Sequence, residues 1–361
     1  MKLQRIFPEL SLESKTRELN AKGISRDSRS LLPGDLFFMI EGKTFDIFSV
    51  LLSIEGKVSV FVCDVKNKRK ISSIIKRKPV IFVKNINKEF YKAVDNFYRL
   101  KNDKLRFVGV TGTNGKTTTS HFIGDFLRYS GKQASLIGTL TYKVGAKVYN
   151  STHTTPEYLS LKKMIKHLDG RGDQFIVMEV SSHAIDQKRI EGIGFEVCVF
   201  TNLTRDHLDY HKTIKNYFDV KRLFFINNKR CMAVINVDDS YGRRLRKDVL
   251  GQISYGIDRR ADLGAANIKL AKEFTVFDLI YKGKRQVVKT SFLGRHNVSN
   301  ILAAAGAVLS LGISFEMIVG AIPFLKAVPG RLEKVANDIF VDYAHTPDAI
   351  EKVLIVLKQI G

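Results

Sequence analysis

Val110-Thr111-Gly112-Thr113-Asn114-Gly115-Lys116-Thr117-Thr118-Thr119-Ser120 follows directly on the apolar run Leu105-Arg106-Phe107-Val108-Gly109. A buried strand, a glycine turn and a Lys-Thr helix start are the parts of a phosphate cradle. Gly112 and Gly115 let backbone N–H groups converge on phosphate oxygens, and the helix N-terminus adds positive potential. Lys116 supplies a point charge, and the Thr117 hydroxyl can reach Mg2+. The stretch predicts a nucleoside triphosphate site. The eight-residue form of this pattern wants glycine at position 110, where the chain has valine, so the spacing is a shortened variant.

Working outward, strand-like runs at 105–110, 134–139, 174–180, 195–201 and 231–236 alternate with helical patterns at 116–130, 156–168 and 213–227. That rhythm predicts a mainly parallel sheet wrapped by helices. Segments near 252–256, 266–270, 274–281 and 286–292 read as antiparallel strands, followed by an Ala-rich helix over 298–311. Upstream, short apolar runs at 35–40, 58–62 and 80–83 suggest a small α/β domain that exits through 101–104. After Pro329-Gly330 a strand at 339–343 and a helix at 347–359 open a further unit. A lone strand and helix carrying Ile350, Val353, Leu354 and Leu357 cannot bury that surface, since a domain needs ~100–150 residues. The expected fold is therefore α/β in three parts: an N-terminal domain over 1–100, a central P-loop nucleotide-binding domain over 101–328, and the start of a third domain over 329–361, most of which is expected to be missing.

The 361 residues, 44% hydrophobic, suffice for two or three cores. The N-terminus lacks a signal-peptide core and no apolar run approaches the ~20 residues of a membrane span, so a cytoplasmic protein without membrane insertion is expected. Cys63, Cys198 and Cys231 are widely spaced and read as reduced structural thiols. Lys and Arg number 59 against 36 acidic residues, a net charge of +23, with dense runs at 66–70 and 76–78. The excess is spread along the chain and the runs lack interleaved aromatics, which favours a solvated basic face over nucleic acid. A positive field also suits polyanionic substrates.

Four further clusters carry possible chemistry. Glu179, in Met178-Glu179-Val180-Ser181-Ser182-His183, ends a strand beside the phosphate loop, where a carboxylate can hold Mg2+ or be an ordinary strand-end acid. His207 and His211, in Thr201-Asn202-Leu203-Thr204-Arg205-Asp206-His207-Leu208-Asp209-Tyr210-His211, have a zinc-pair spacing but lack the metalloprotease glutamate and a third ligand, which favours hydrogen-bonded histidines. Lys221 lies on an amphipathic helix and by itself reads as a surface lysine. Asn297 and Asn300, in Gly294-Arg295-His296-Asn297-Val298-Ser299-Asn300, can cap a helix or read an adenine edge.

Together with Asp27-Ser28-Arg29, Pro33-Gly34-Asp35-Leu36-Phe37, His153-Thr154-Thr155-Pro156-Glu157, Val328-Pro329-Gly330-Arg331-Leu332-Glu333 and Val341-Asp342-Tyr343-Ala344-His345-Thr346-Pro347-Asp348, these motifs resemble the Mur ligase family, most closely its MurE type. Those enzymes add the third amino acid to UDP-N-acetylmuramoyl dipeptide, and the resemblance implies that 1–100 is a UDP-sugar-binding domain, 101–328 a P-loop ATPase domain and 329–361 the start of a Rossmann-like domain. The resemblance implies that Gly112, Thr113, Asn114, Gly115, Lys116, Thr117 and Thr118 hold ATP phosphates, with Asn297, Arg331 and Asp342 around the nucleotide. It implies that Thr117 and Glu179 serve one Mg2+, that His207 helps hold a second, and that Lys221 is carbamylated by CO2 into an anionic metal ligand, against its surface-lysine reading. Ser28 with Lys43, Thr44 and Phe45 would meet uridine, and Thr154, Thr155, Ser181, Gln187 and Arg189 the muramoyl peptide. Ile47 departs from the glycine common after the aspartate at 46.

The implied reaction is phosphoryl transfer from ATP to the dipeptide carboxylate, catalysed by Lys116, Lys221, Glu179 and His207, followed by attack of an amine from lysine or meso-diaminopimelate on the acyl phosphate. A monomer is expected, with weak binding of both nucleotides and poor turnover by the chain alone. The competing expectation is a truncated, non-catalytic nucleotide or UDP-sugar binding protein. A folylpolyglutamate- or cyanophycin-type ligase should lack the Asp27-Ser28-Arg29 domain, and a GTPase would want an Asn-Lys-x-Asp guanine motif.

Overall fold

The structure, a computed structural model, describes residues 1–41, 46–99, 105–168 and 174–360. Two compact units divide the chain: residues 1–101 with 162–166, and residues 102–161 with 167–361.

In the N-terminal unit, strands β1 (Gly23–Ser25), β2 (Asp35–Phe38), β3 (Val58–Asp64) and β4 (Val80–Val83) form a parallel sheet in sequence order. The helix Ile86–Phe97 is started by Asn85, whose side chain accepts the Lys88 N–H, and buries Ile86, Phe90, Ala93 and Val94. That helix and β1 are absent from the sequence reading: β1 is only three residues long, too short for a periodicity to show.

The larger unit is built on a sheet that contains, among the described residues, eleven strands. They are β5 (Leu105–Thr111), β6 (Ala134–Ile137), β7 (Thr141–Val144), β8 (Lys147–Asn150), β9 (Gln174–Glu179), β10 (Phe195–Phe200), β11 (Met232–Asn236), β12 (Gln252–Gly256), β13 (Leu263–Leu270), β14 (Thr275–Tyr281) and β15 (Lys284–Thr290). Their order is β15-β14-β13-β12-β11-β10-β5-β9-β6-β7-β8. The central strands are parallel, and antiparallel hairpins extend both edges. One expectation is corrected: β12 pairs parallel to β11, because the helix Ser240–Leu245 supplies a crossover between them.

Helices Lys116–Tyr129 and Arg295–Ser310 share a core with the sheet, in which Phe122, Ile123, Phe126, Val298, Ile301 and Leu302 meet Val108, Val110, Val177, Val199 and Val234. Each such side chain, fully buried, contributes about 1.5–3 kcal/mol of transfer free energy. The alanines of the second helix let it lie close to the sheet: a Cβ on Gly306 would stand 2.7 Å from Val234 Cγ1. Because β5 lies between β9 and β10, their C-terminal ends open on one crevice, with Val110 opposite Glu179 and Thr111 opposite Phe200.

After residue 328 come an antiparallel pair, β16 (Glu333–Ala336) and β17 (Ile339–Val341), and the helix Pro347–Ile360. On that helix Val356 joins Leu293 and Leu332 in a small cluster, while Ile350 and Leu354 remain exposed.

Candidate active site

The loop after β5 is shaped by two glycines with left-handed backbones. Gly112 has φ +150°, and a Cβ there would fall 1.9 Å from Thr201 Oγ1; Gly115 has φ +82°, and its Cβ would fall 2.4 Å from Asn300 Oδ1. Neither position has room for a side chain. Gly115 is also the N-cap of the helix Lys116–Tyr129, whose first N–H groups therefore have no side-chain acceptor.

The segment after β10 clamps the loop. Asn202 Oδ1 accepts the Asn114 N–H (2.9 Å), Asn202 O accepts the Thr113 N–H (2.9 Å), and the Thr201 hydroxyl donates to Asn114 O (2.6 Å). Lys116 Nζ folds back to donate to Gly112 O (3.0 Å) and Thr113 O (2.7 Å), and burial lowers its pKa. Thr118 is buried on the first turn of the helix.

Glu179, 1% exposed, sits at the end of β9. One carboxylate oxygen accepts the Thr139 N–H (2.8 Å), and the other accepts the hydroxyls of Thr117 (2.9 Å) and Thr139 (3.0 Å). Thr139 Oγ1 lies 3.2 Å from Thr154 Oγ1. The main-chain oxygen of Glu179 accepts the Thr155 hydroxyl (2.7 Å), and that hydroxyl accepts the Ser181 N–H (3.1 Å). Arg189 donates to Thr155 O (3.1 Å) and Gln187 Oε1 (2.7 Å) and pairs with Glu157 (2.9 Å). Thr117, Glu179, Thr154, Thr155, Ser181, Gln187 and Arg189 are thus one connected network.

Lys221 is buried, at 1% exposure, which corrects the surface reading. Its helix, Ile214–Ile226, begins at Thr213, which accepts the Asn216 N–H, and turns the lysine towards β5. Nζ donates to Gly112 O (2.9 Å) and lies 4.6 Å from the centre of the Tyr217 ring. Burial, with the nearby Lys116 charge, holds its pKa well below the usual lysine range.

His207 adopts φ +51° and is oriented by Asp206, whose carboxylate accepts its N–H (2.8 Å) and stands 3.4 Å from its ring nitrogen. Its ring centre is 5.0 Å from that of His183, which in turn lies 5.7 Å from His211. Burial lowers the pKa of all three. His211 is a hydrogen-bonded histidine, 2.9 Å from Ser182 Oγ. Among the described residues, no three His, Cys, Asp or Glu side chains converge as a metal centre.

The segment after residue 328 reaches the loop. Arg331 Nη2 donates to Thr117 Oγ1 (3.0 Å), and Asn114 Nδ2 donates to Asp348 Oδ2 (3.0 Å). Asp342 accepts the N–H groups of Leu332 (2.6 Å) and Ala344 (2.7 Å), which fixes the backbone beside Arg331. Asn297 donates to Leu293 O (3.0 Å) and accepts from Asn300, so its side chain braces the start of its helix. In the other unit Ser28 begins a short turn that Asp27 caps by accepting the Arg29 N–H (3.0 Å). Lys43, Thr44 and Phe45 lie outside the described residues.

Sequence reasoning missed Thr139, Gly138, Asn202 and Asp348. A Cβ on Gly138 would stand 2.1 Å from Glu179 Oε1, so this glycine makes room for the carboxylate. Gly138-Thr139 ends an expected strand, and that pairing was the available signal.

Residues 110–308 match the Mur ligase middle domain. The chain is 40% identical over 364 residues to UDP-N-acetylmuramoyl-L-alanyl-D-glutamate--2,6-diaminopimelate ligase 1 of Clostridium acetobutylicum, covering 98% of this chain and 74% of that protein. It is 38% identical over 352 residues to the ligase of the same name from Bacillus cereus, covering 94% and 70%. A solved UDP-N-acetylmuramoyl-L-alanyl-D-glutamate--2,6-diaminopimelate ligase superposes with a TM-score of 0.78 at 26% identity, covering all of this chain and 74% of that one. The MurF ligase of Thermotoga maritima, solved in complex with ADP, superposes with a TM-score of 0.69 at 18% identity and covers 93% and 75%, a likeness of fold.

Proposed function

Because the chain belongs to the Mur ligase family, we propose that it is an ATP-dependent amide ligase of the MurE type, joining meso-diaminopimelate to UDP-N-acetylmuramoyl-L-alanyl-D-glutamate through an acyl phosphate. The names of the similar proteins support the diamino acid. Its place is the cytoplasm, where both nucleotides are found, and among the described residues no helix is long and apolar enough to cross a membrane.

The observation that carries this reading is the position of Glu179. Its carboxylate bonds Thr117 of the phosphate loop, and its own carbonyl bonds Thr155 of the segment assigned to the muramoyl peptide. One residue would therefore tie the phosphoryl donor site to the acceptor site. The loop amides of 112–118 would hold the phosphates, and Lys116 would exchange its two loop carbonyls for phosphate oxygens. Arg331 and Asn297 would flank the nucleotide, with Asp342 holding the Arg331 backbone in place. Thr154, Ser181, Gln187 and Arg189 would orient the dipeptide so that its glutamyl carboxylate meets the γ-phosphorus in line.

The Thr117 hydroxyl and Glu179 carboxylate are adjacent hard oxygen donors, the set that Mg2+ takes together with phosphates and water. His207 and a carbamylated Lys221 would hold a second ion. When bound, Mg2+ neutralises charge on the phosphates of the transferring group. Burial of Lys221 favours its neutral amine, which can add CO2: a C–N bond forms, one C=O electron pair moves to oxygen and a proton leaves nitrogen, giving an anionic carbamate. Ser28 and Lys43, Thr44 and Phe45 would bind the uridine end.

Calorimetric titration of UDP-N-acetylmuramoyl-L-alanyl-D-glutamate into the protein and its Thr154→Val variant tests the acceptor site. Among the described residues the Thr154 hydroxyl gives up only its contact with Thr139, so the variant should fold and bind the substrate about tenfold more weakly, the worth of one well-made hydrogen bond. Unchanged affinity would remove Thr154 from the site.

A further inference from the structure

The phosphate and peptide sites leave unexplained a concentration of charge in the N-terminal unit. Nine basic residues and no acidic one lie between Asp64 and Glu89. Lys66, Lys68, Arg69, Lys70, Lys76 and Arg77 are all exposed, on the turn after β3, the helix Lys68–Ile74 and the turn that follows it. Exposed apolar side chains lie in the same unit. Val65 is 46% exposed beside Lys66, and Leu52 is 69% exposed on the helix Leu51–Ile54. Two contacts tie the residues flanking that second helix to the basic segment: Lys70 Nζ lies 3.5 Å from the centre of the Phe48 ring, and Glu55 accepts the Arg77 N–H (3.0 Å). The nearby acids are engaged locally, Glu41 with Asn67 (2.7 Å) and Lys66, Asp46 with the Phe48 N–H and Asp64 with the Lys66 N–H.

We propose that this face docks reversibly on an anionic lipid bilayer, the basic side chains meeting headgroups while Leu52 and Val65 enter the interface. Polybasic clusters are drawn to anionic membrane surfaces, and exposed apolar residues add the short-range part of binding. The observations favour a bilayer over nucleic acid for a specific reason. Single-stranded nucleic acid needs open aromatic faces for its bases, and here the Phe48 face is covered by Lys70 and Phe82 is faced by Lys68 at 5.7 Å. The basic side chains carry charge that can meet phosphate, but among the described residues of this face no open stacking platform accompanies them. Docking by this face would hold the ligase at a membrane surface without a membrane-spanning segment.

The test is sedimentation of the protein with vesicles of phosphatidylcholine alone and of phosphatidylcholine with 30% phosphatidylglycerol. It compares the unaltered chain, the triple variant Lys68→Glu/Arg69→Glu/Lys70→Glu and a charge-matched control, Lys229→Glu/Arg230→Glu/Lys247→Glu, whose residues are exposed in the other unit. The expected result is binding to the anionic vesicles only, falling with salt. The patch triple should lower the partition coefficient by at least on the order of 100-fold, from roughly fivefold per basic residue lost near the surface with the added glutamates repelling the lipid besides, and the control less than threefold. Leu52→Ser alone should lower it severalfold. Equal losses in both triples would mean that only net charge matters and would overturn the proposal. So would equal binding to uncharged vesicles, or vesicle binding untouched by the patch triple while binding of a single-stranded oligonucleotide is lost. All substituted side chains are exposed, and thermal unfolding of each variant identifies one that has not folded; Lys68→Gln/Arg69→Gln/Lys70→Gln then takes the place of the patch triple.

Discussion

Replacing Glu179 by glutamine separates the structural part of this residue from its part in binding a metal nucleotide. The carboxylate is buried and accepts three hydrogen bonds, from the Thr139 N–H and from the hydroxyls of Thr117 and Thr139. Glutamine fills the same volume, and its amide oxygen can keep the bond to the Thr139 N–H. Its NH2 group then faces the two hydroxyls, which must rotate to accept. Bonds to a charged group contribute about 1.5–3 kcal/mol against about 0.5–1.5 for neutral ones, so weakening two of them should cost about 1–2 kcal/mol, read as a lower urea midpoint at unchanged slope. Nucleotide binding should change with opposite signs in two conditions. With Mg2+, ATP affinity should fall on the order of 100-fold, because even outer partners of metal ligands are worth about 10–100-fold. With a chelator present, affinity should rise, since a negative charge beside the phosphates has gone. Calorimetry in both conditions reads the two signs. If Mg2+ strengthened ATP binding equally in variant and parent, Glu179 would not be a metal ligand.

Other outcomes follow from single contacts. Gly115→Ala places a Cβ in the left-handed region, at about 1–2 kcal/mol for the backbone alone, and against Asn300 Oδ1 at 2.4 Å; ATP affinity should fall at least tenfold by fluorescence titration with an ATP analogue. Burial lowers His296 from 6.5 to about 4. The unfolded chain therefore takes up a proton that the folded one refuses as pH falls from 6.5 towards 4, so stability present at neutral pH is lost through that window. The loss between pH 7 and pH 5 should be roughly 2 kcal/mol, and urea titrations of His296→Asn should show a shallower slope with pH. Lys221 should give a carbamate resonance in 13C NMR after exposure to labelled bicarbonate, absent in Lys221→Arg; a spectrum without it in the parent would remove the carbamate from the account.

The phosphate loop, the alternating core and the strand-end carboxylate were legible in the sequence because each rests on local chemistry: a glycine turn, a periodicity, an acid after an apolar run. Glu179 and Thr117 were placed near each other from that logic, and the structure holds them 2.9 Å apart. What the sequence hid is tertiary. The helix of Lys221 has an amphipathic pattern that puts a lysine towards solvent, yet aromatic residues on both sides pull that face inward and bury it. The parallel pairing of β12 depended on the crossover Ser240–Leu245, too short to register as a periodic helix. Asn202, Thr139 and Asp348 act through partners distant in sequence, at separations of 88, 40 and 234 residues, so no local pattern could assign them. The Arg331 bond to Thr117 belongs to the same class.

The most direct measurement is the rate of ADP release from Mg-ATP in the presence of UDP-N-acetylmuramoyl-L-alanyl-D-glutamate, compared with the same nucleotide-sugar lacking glutamate. The account predicts that only the glutamate-bearing substrate stimulates release, and that added meso-diaminopimelate raises the rate further with formation of the UDP-tripeptide. ADP release at one rate with both nucleotide-sugars would contradict it.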